Sequence, residues 1–85
     1  MILNQTAEYA FRAMACLASS LGTPLRARDL STQSNIPPFY LSKVMRRLVV
    51  AGLVDSQRGH GGGFRLAKPP GAIRFFDILE AMDYL

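Results

Sequence analysis

Apolar residues recur at steps of three and four along the first part of the chain, beginning at Ala7. This spacing predicts an amphipathic helix from about residue 6 to residue 20, which Gly22 and Pro24 end. A second apolar stripe lies on the far side of the same helical wheel and consists of Tyr9, Ala13 and Cys16. Because a helix that is apolar on two faces needs two partners, we expect this stripe to contact a second subunit or a further C-terminal element.

Two further helices are predicted downstream, separated by a tight turn. The first runs over about residues 27–34, and Asn35 is the turn residue because its side chain tolerates the left-handed backbone conformation. The second begins at the Pro37-Pro38 pair, whose fixed φ suits a first helical turn, and Gly52 caps its end. A short helix followed by a tight turn and a second helix predicts a helix-turn-helix over about residues 27–51.

The two faces of the second helix differ in kind. The stripe predicted to be buried consists of Leu41, Val44, Met45 and Leu48. The opposite, outward face consists of Phe39, Ser42, Lys43, Arg46 and Val50. Cations, a hydroxyl and an aromatic ring near the start of a helix are typical of a recognition helix, which enters the major groove of DNA.

β-Patterned runs at residues 53–57 and 64–67 flank a glycine-rich loop, and together they predict a projecting hairpin. A hairpin directly after a helix-turn-helix is a wing, here over about residues 53–67. Apolar residues at helical spacing near the end of the chain predict a closing helix over about residues 75–84. The expected fold is therefore one domain, mainly α with a small β-hairpin, of the winged helix-turn-helix type.

The 85 residues carry a formal net charge of +4, but the excess belongs to one segment. Between residues 38 and 68 the net charge is +5, and Asp55 is the only acidic residue there. The rest of the chain carries −1. The cations of this basic segment are Lys43, Arg46, Arg47, Arg58, Arg65 and Lys68. Such a concentration predicts a surface that binds a polyanion, and the alternative is an ordinary solvated surface.

The glycine run from Gly59 to Gly63 has neither of the two common nucleotide-binding patterns. Phe64 stands where the dinucleotide pattern needs a glycine, and no Lys followed by Ser or Thr comes after the run, as the Walker pattern requires. We interpret the run as a flexible wing tip that lets backbone amides and Arg58 approach a DNA backbone or the minor groove. The alternative is a plain hairpin loop without a ligand.

The chain offers no combination of residues for catalysis. His60 is the only histidine, and no Ser, Asp or Glu is spaced for a triad or a carboxylate pair, so we predict that the chain is not an enzyme. The only cysteine, Cys16, cannot form an internal disulfide. The apolar runs are too short to cross a membrane and the start lacks a signal-peptide pattern, which favours a cytoplasmic protein with no membrane partner.

Several motifs, in order along the chain, resemble a known family. They are Ala7-Glu8-Tyr9-Ala10, Ala51-Gly52-Leu53-Val54, Arg58-Gly59, Gly61-Gly62-Gly63-Phe64 and Phe76-Asp77-Ile78. From about Leu3 to Met82 the chain resembles the bacterial winged-helix regulators that include the repressor of iron-sulfur cluster assembly and the nitric-oxide-sensing repressor. The resemblance implies a cytoplasmic, homodimeric transcription factor, usually a repressor, that binds double-stranded DNA at a palindromic operator.

The resemblance also implies which residues meet DNA. The residues placed by position in the major groove are Phe39, Tyr40, Ser42 and Lys43, and Arg58 falls where the family's wing meets the minor groove. The charge pattern and the wing add the remaining candidates, which are Arg46, Arg47, Gly59, His60 and Arg65. For Tyr40 there is an alternative, in which its ring packs on the preceding helix and only its hydroxyl reaches a phosphate.

Two features depart from the family pattern. Relatives often have a capping hydroxyl where this chain has Arg26. We expect Arg26 and Arg28 either to reach phosphates, to form a salt bridge to Asp29 or to be solvated. Sensing relatives carry three clustered cysteines after this domain and then a long helix that pairs the subunits, and the sequence stops at Leu85 before either. We therefore expect no cofactor in this chain, and an iron-sulfur cluster only together with a cysteine-bearing tail.

The resemblance also makes Glu8 a candidate cluster ligand, because some relatives use an acidic residue of the first helix in that way. Without a cysteine set, we interpret it as a solvated carboxylate that the helix dipole favours. Two other functions stay open. One is a winged-helix module that binds another protein, and the other is an iron-sulfur or redox sensor whose cysteine-bearing tail lies outside this sequence.

Overall fold

The computed structural model describes residues 4–82, which form four α-helices and one antiparallel hairpin. The elements are α1 (Gln5–Ser19), α2 (Ala27–Ser34), α3 (Pro38–Val50), β1 (Val54–Gln57), β2 (Gly63–Leu66) and α4 (Phe75–Ala81), with a 3-10 turn at Pro70–Ala72. This order confirms the predicted winged helix-turn-helix. The part of the predicted closing helix at residues 83–84 lies outside the described residues.

A single hydrophobic core joins the helices to the base of the hairpin. Its largest fully buried side chains are Leu17, Leu30, Ile36, Leu41, Met45, Leu48, Val44 and Val54. The inward stripe predicted for α3 is confirmed, because all four of its members are at most 2% exposed. With these side chains buried, the opposite face of α3 has to point to solvent.

The prediction that the second stripe of α1 contacts another subunit is wrong for Tyr9 and Ala13. Tyr9 is 8% exposed and Ala13 is fully buried, and Cys16 is half-buried against the same core. The reason is the position of α1, which packs against α2, α3, α4 and β2 of its own chain. Both apolar faces of α1 are therefore covered within the subunit.

The hairpin is joined to the segment before α2 by a bridge that the sequence pattern did not predict. Val54 pairs with Leu66 and Gln57 with Gly63, which sets the register of β1 against β2. On the other side of β2, the Leu25 N–H donates to the Phe64 carbonyl at 2.9 Å, and the Phe64 N–H donates to the Leu25 carbonyl at 2.8 Å. The wing is thus hydrogen-bonded to the polypeptide that enters the helix-turn-helix.

Candidate nucleic-acid interface

The first half of α3 presents the predicted recognition residues to solvent. Phe39 is 65% exposed and Tyr40 is 47% exposed. The polar candidates of this helix are exposed as well, namely Ser42, Lys43, Arg46 and Arg47. Pro38 begins the helix, so the positive end of the helix dipole lies beside Phe39 and Tyr40, and no acidic residue of the first turn offsets it. Arg47 lies in the last turn.

Aromatic rings and a cation are stacked together at this end of α3. The Lys43 ammonium lies 4.6 Å from the centre of the Phe39 ring, within the range of a cation–π interaction. The Phe39 and Tyr40 rings meet edge to face, with centroids 5.4 Å apart. On its other side the Tyr40 ring lies 6.0 Å from the ring of Tyr9. Tyr40 therefore packs on α1 while part of the residue stays exposed to solvent.

The turn between α2 and α3 has the predicted left-handed residue. Asn35 has φ 57° and ψ 42°, and the Ile36 N–H donates to the Ser31 carbonyl at 3.1 Å to close the end of α2. The Arg12 guanidinium of α1 donates to the carbonyls of Ser34 and Asn35, each at 3.2 Å. These carbonyls lie at the negative end of the α2 dipole, where a cation is stabilising.

Arg12 is a residue that sequence reasoning missed. It forms an ion pair with Glu8 one helical turn earlier and lies over the Tyr9 ring, 5.3 Å from its centre. The spacing to Glu8 is visible in the sequence, but the contact with the helix-turn-helix joins residues 22 and 23 positions apart. Glu8 itself is paired with Arg12 rather than simply solvated.

The wing tip carries three predicted site residues, Arg58, Gly59 and His60, and all three are exposed. Its turn is closed by the Gly62 N–H, which donates to the Gly59 carbonyl at 2.9 Å. A Cβ atom on Gly62 would lie 2.5 Å from the Gln57 carbonyl oxygen, so only glycine fits there without rearrangement. The run is thus closely packed at Gly62, whereas a Cβ at Gly59 or Gly61 would meet no atom within 4 Å.

Arg65 lies apart from the cations of α3. It is half-buried on β2, opposite Asp55 in the hairpin register. With Asp55 it lines a groove at the end of α1 that includes Leu17 and Leu21. Lys43, Arg46 and Arg47 line a different groove, between α3 and α4, that also includes Glu80.

An ion pair that shifts the pKa values of both partners lies at the start of α4. The Arg74 guanidinium donates to the Asp77 carboxylate at 2.8 Å, and the same carboxylate accepts the Arg74 backbone N–H at 2.8 Å. The Arg74 side-chain hydrogen bond lowers the pKa of Asp77 below its ordinary value, and Asp77 raises the pKa of Arg74 in turn. This pair lies at the start of the closing helix, outside the basic segment of residues 38–68.

The described residues do not supply a ligand set for iron or an iron-sulfur cluster. Between residues 4 and 82, no three His, Cys, Asp or Glu side chains lie close enough together to hold a metal ion. Cys16 is a free, half-buried thiol of α1. Within the same part of the chain, no helix is long and apolar enough to cross a membrane.

Comparison with known proteins agrees with this geometry. The family model described as "Rrf2: Iron-dependent Transcriptional regulator" matches residues 3–84. An HTH-type transcriptional regulator from Mycobacterium tuberculosis is 39% identical over 84 residues, which is 98% of this chain and 52% of that protein. The chain therefore spans about half the length of this relative.

Two solved structures have the same fold. The structure of T. potens IscR superposes with a TM-score of 0.87 at 30% identity and covers 96% of this chain and 61% of its own. The structure of CymR, the global cysteine regulator of B. subtilis, superposes with a TM-score of 0.89 at 29% identity and covers 98% of this chain and 65% of its own.

Proposed function

The chain belongs to the Rrf2 family of transcriptional regulators, and we propose that residues 4–82 are its DNA-reading domain, with α3 in the major groove and the wing over the adjacent minor groove. The family consists of transcriptional regulators rather than enzymes, as the lack of catalytic residues predicts. Within the proposal, Phe39, Ser42 and Lys43 read or position the duplex from α3.

One observation carries the proposal, which is the division of α3 into a fully buried apolar stripe and an exposed face of cations and aromatic rings. A cation held against a ring keeps its charge accessible while the ring limits its motion. Lys43 is in this position over Phe39. Arg46 and Arg47 extend the charge by one helical turn, and phosphate contacts of this kind supply much of the affinity for DNA.

We further propose that the regulator acts in the cytoplasm as a homodimeric repressor at a palindromic operator. Support comes from the resemblance to regulators of this kind. Two recognition helices about 34 Å apart would then read half-sites one helical turn apart. Since Tyr9 and Ala13 are buried in the subunit, the dimer has to use other surfaces.

The protein-binding module loses its main support for the same reason. A module of this kind would bind its partner through the second apolar stripe of α1, and Tyr9 and Ala13 of that stripe are buried within the subunit. We also propose that the described domain works without a cofactor of its own. Anaerobic incubation of the 85-residue chain with iron and sulfide should leave it colourless, and a visible absorbance band would contradict this.

The test of DNA binding starts from a pool of random 30-base-pair duplexes, from which the purified chain selects its preferred sites. Fluorescence anisotropy then compares Lys43→Ala and Arg46→Ala with Lys68→Ala, which removes the same charge from an exposed position beside α4. Removal of a cation that reads a base should cost about 1–3 kcal/mol of binding free energy, and only on the selected duplex. A cation that contacts only phosphate should weaken binding to all duplexes alike.

The control Lys68→Ala should bind within about twofold of the parent chain, because Lys68, although part of the basic segment, lies beside Asp77 and Glu80 rather than on the exposed face of α3. Affinity should fall steeply between low and physiological salt concentration as counterions compete for the phosphates. Selection of no duplex, or an affinity independent of salt, would overturn the proposed function.

A further inference from the structure

We propose that Arg26 is a positioning residue that fixes the wing to the helix-turn-helix, so that Arg58 meets the minor groove at a set distance from α3. The contact that carries this is between the Arg26 guanidinium and the Gly59 carbonyl, whose atoms Nη2 and O are 3.4 Å apart. The consequence for DNA rests on the proposed function, whereas the effect on the wing does not.

Arg26 begins α2 with its backbone and contacts the wing with its side chain. It is the N-cap residue of α2, and its carbonyl accepts the first helical hydrogen bond from the Leu30 N–H at 2.9 Å. Its side chain makes no capping hydrogen bond to α2. The side chain instead crosses to the wing tip, where Gly59 directly follows Arg58.

The contact is placed where it controls the shape of the tip. The Gly59 carbonyl already accepts the N–H of Gly62, the bond that closes the turn. A second, charged donor 3.4 Å from the same oxygen adds an attraction between the guanidinium and this carbonyl at the loop end of the hairpin.

Two successive residues thus hold the wing near its loop. Leu25 exchanges both of its backbone hydrogen bonds with Phe64, one residue from the loop end of β2, and Arg26 reaches Gly59 in the loop itself. The Leu25 bridge attaches only β2, whereas the Arg26 contact attaches the loop on the side of β1. Arg58 directly precedes Gly59, so its backbone position follows from this second attachment.

The first test uses the free protein and does not depend on DNA. Arg26→Ala should raise the hydrogen-exchange rate of the Gly62 amide about tenfold, because the turn opens more often once its second donor is lost. The Phe64 amide should change less, since the Leu25 bridge is made by the backbone. Arg28→Ala removes the same charge two residues later on α2 and should leave both rates within about twofold.

A Gly62 exchange rate that is unchanged in a folded Arg26→Ala protein would overturn the proposal. Arg26→Lys separates geometry from charge, because a lysine keeps the cation but lacks the planar fork of donors. It should restore only part of the protection of Gly62. Full restoration would mean that any cationic donor at this position holds the tip, and it would overturn the role of the guanidinium geometry.

The second test is a double-mutant cycle on a duplex selected by the parent chain. Arg26→Ala should weaken binding about tenfold in the parent but less than about twofold in the Arg58→Ala background, because Arg26 acts through Arg58. The dependence of affinity on salt should keep the same slope in Arg26→Ala, since no phosphate contact is lost.

Equal losses in both backgrounds, together with a salt slope reduced by about one, would show that Arg26 contacts a phosphate itself and would overturn the positioning role. If the parent chain selects no duplex, the proposed function fails. In that case the exchange rates of Gly62 still decide whether Arg26 holds the wing.

Discussion

The guanidinium of Arg12 lies 3.2 Å from the carbonyl oxygen of Asn35, the left-handed residue between α2 and α3. This contact joins the central helix of the domain to the turn that sets the angle of the recognition helix. The same side chain lies over the ring of Tyr9, which in turn packs on Tyr40 of α3. Arg12 thus binds the end of α2 directly and lies against the ring that packs on the start of α3.

Replacement of Arg12 by alanine should lower the free energy of unfolding by about 1–2 kcal/mol. The reason is the loss of two charge-assisted hydrogen bonds to carbonyls at the end of α2, in a partly exposed position where solvent offsets some of the loss. Urea denaturation followed by circular dichroism measures the change.

The matched control is Glu8→Gln, which removes the ion-pair partner of Arg12 but leaves its contacts with the turn. Because exposed pairs one helical turn apart contribute little, the cost should be at most about 0.5 kcal/mol. If Glu8→Gln is as destabilising as Arg12→Ala, the ion pair and not the turn is the main role of Arg12.

The local parts of this fold are readable from the sequence because each depends on near neighbours. Helical spacing located α1 and α3, and the left-handed conformation of Asn35 followed from its side chain and the prolines after it. The second stripe of α1 was misread because periodicity shows that a face is apolar but not what covers it. Here Tyr9 of that stripe packs on Tyr40 of α3, about thirty positions further along the chain.

The burial of one face of α1 predicts different outcomes for substitutions at two of its alanines. Ala13 is fully buried and Ala15 is exposed, so the added volume of a leucine has room only at position 15. Ala13→Leu should cost about 1–3 kcal/mol of stability through overpacking. Ala15→Leu should stay within about 0.5 kcal/mol of the parent, as most surface changes do.

Thermal and urea unfolding of the two variants measure the difference. A dimer contact at Ala13 would give the opposite pattern, with unchanged stability of the subunit and an altered sedimentation coefficient. Equal stabilities for Ala13→Leu and Ala15→Leu would therefore contradict the buried position of Ala13.

The wing also shows where sequence reasoning stops. Alternation and glycine content predicted the hairpin, but the bridge between Leu25 and Phe64 and the contact between Arg26 and Gly59 join residues more than thirty positions apart. A single bridging residue produces no repeating pattern of apolar and polar positions in the sequence. The interface candidates on α3 were accessible to sequence reasoning because one helix carries them all, whereas Arg65 shares the charge of its segment but faces another groove.

Gly63→Ala should destabilise the domain by about 2 kcal/mol. Gly63 has φ +140°, which residues with a Cβ rarely adopt, and the added Cβ would lie 2.5 Å from the Leu25 carbonyl oxygen. Gly71→Ala is the control, since a Cβ there meets no atom within 4 Å. It should change stability by less than about 0.5 kcal/mol. Comparable urea midpoints for the two variants would show that the wing does not need this close approach.

The ion pair at the start of α4 makes stability depend on pH in a defined direction. Because Arg74 lowers the pKa of Asp77 in the folded chain, the ionised carboxylate stabilises the fold above its ordinary pKa of 3.8, and this contribution is lost as the pH falls through the lower, folded value. Asp77→Asn should therefore be less stable than the parent at neutral pH, and the gap should close in acid. Denaturation curves recorded between neutral and strongly acidic pH measure it.

Arg74→Ala is the control that isolates the cause. Without the guanidinium, the pKa of Asp77 returns towards its ordinary value, so adding Asp77→Asn to Arg74→Ala should change the pH dependence far less than Asp77→Asn does alone. What remains is the hydrogen bond from the Arg74 backbone N–H, which an asparagine oxygen also accepts. A gap between the parent and Asp77→Asn that persists undiminished in acid would mean that the charge of Asp77 contributes nothing to the start of α4.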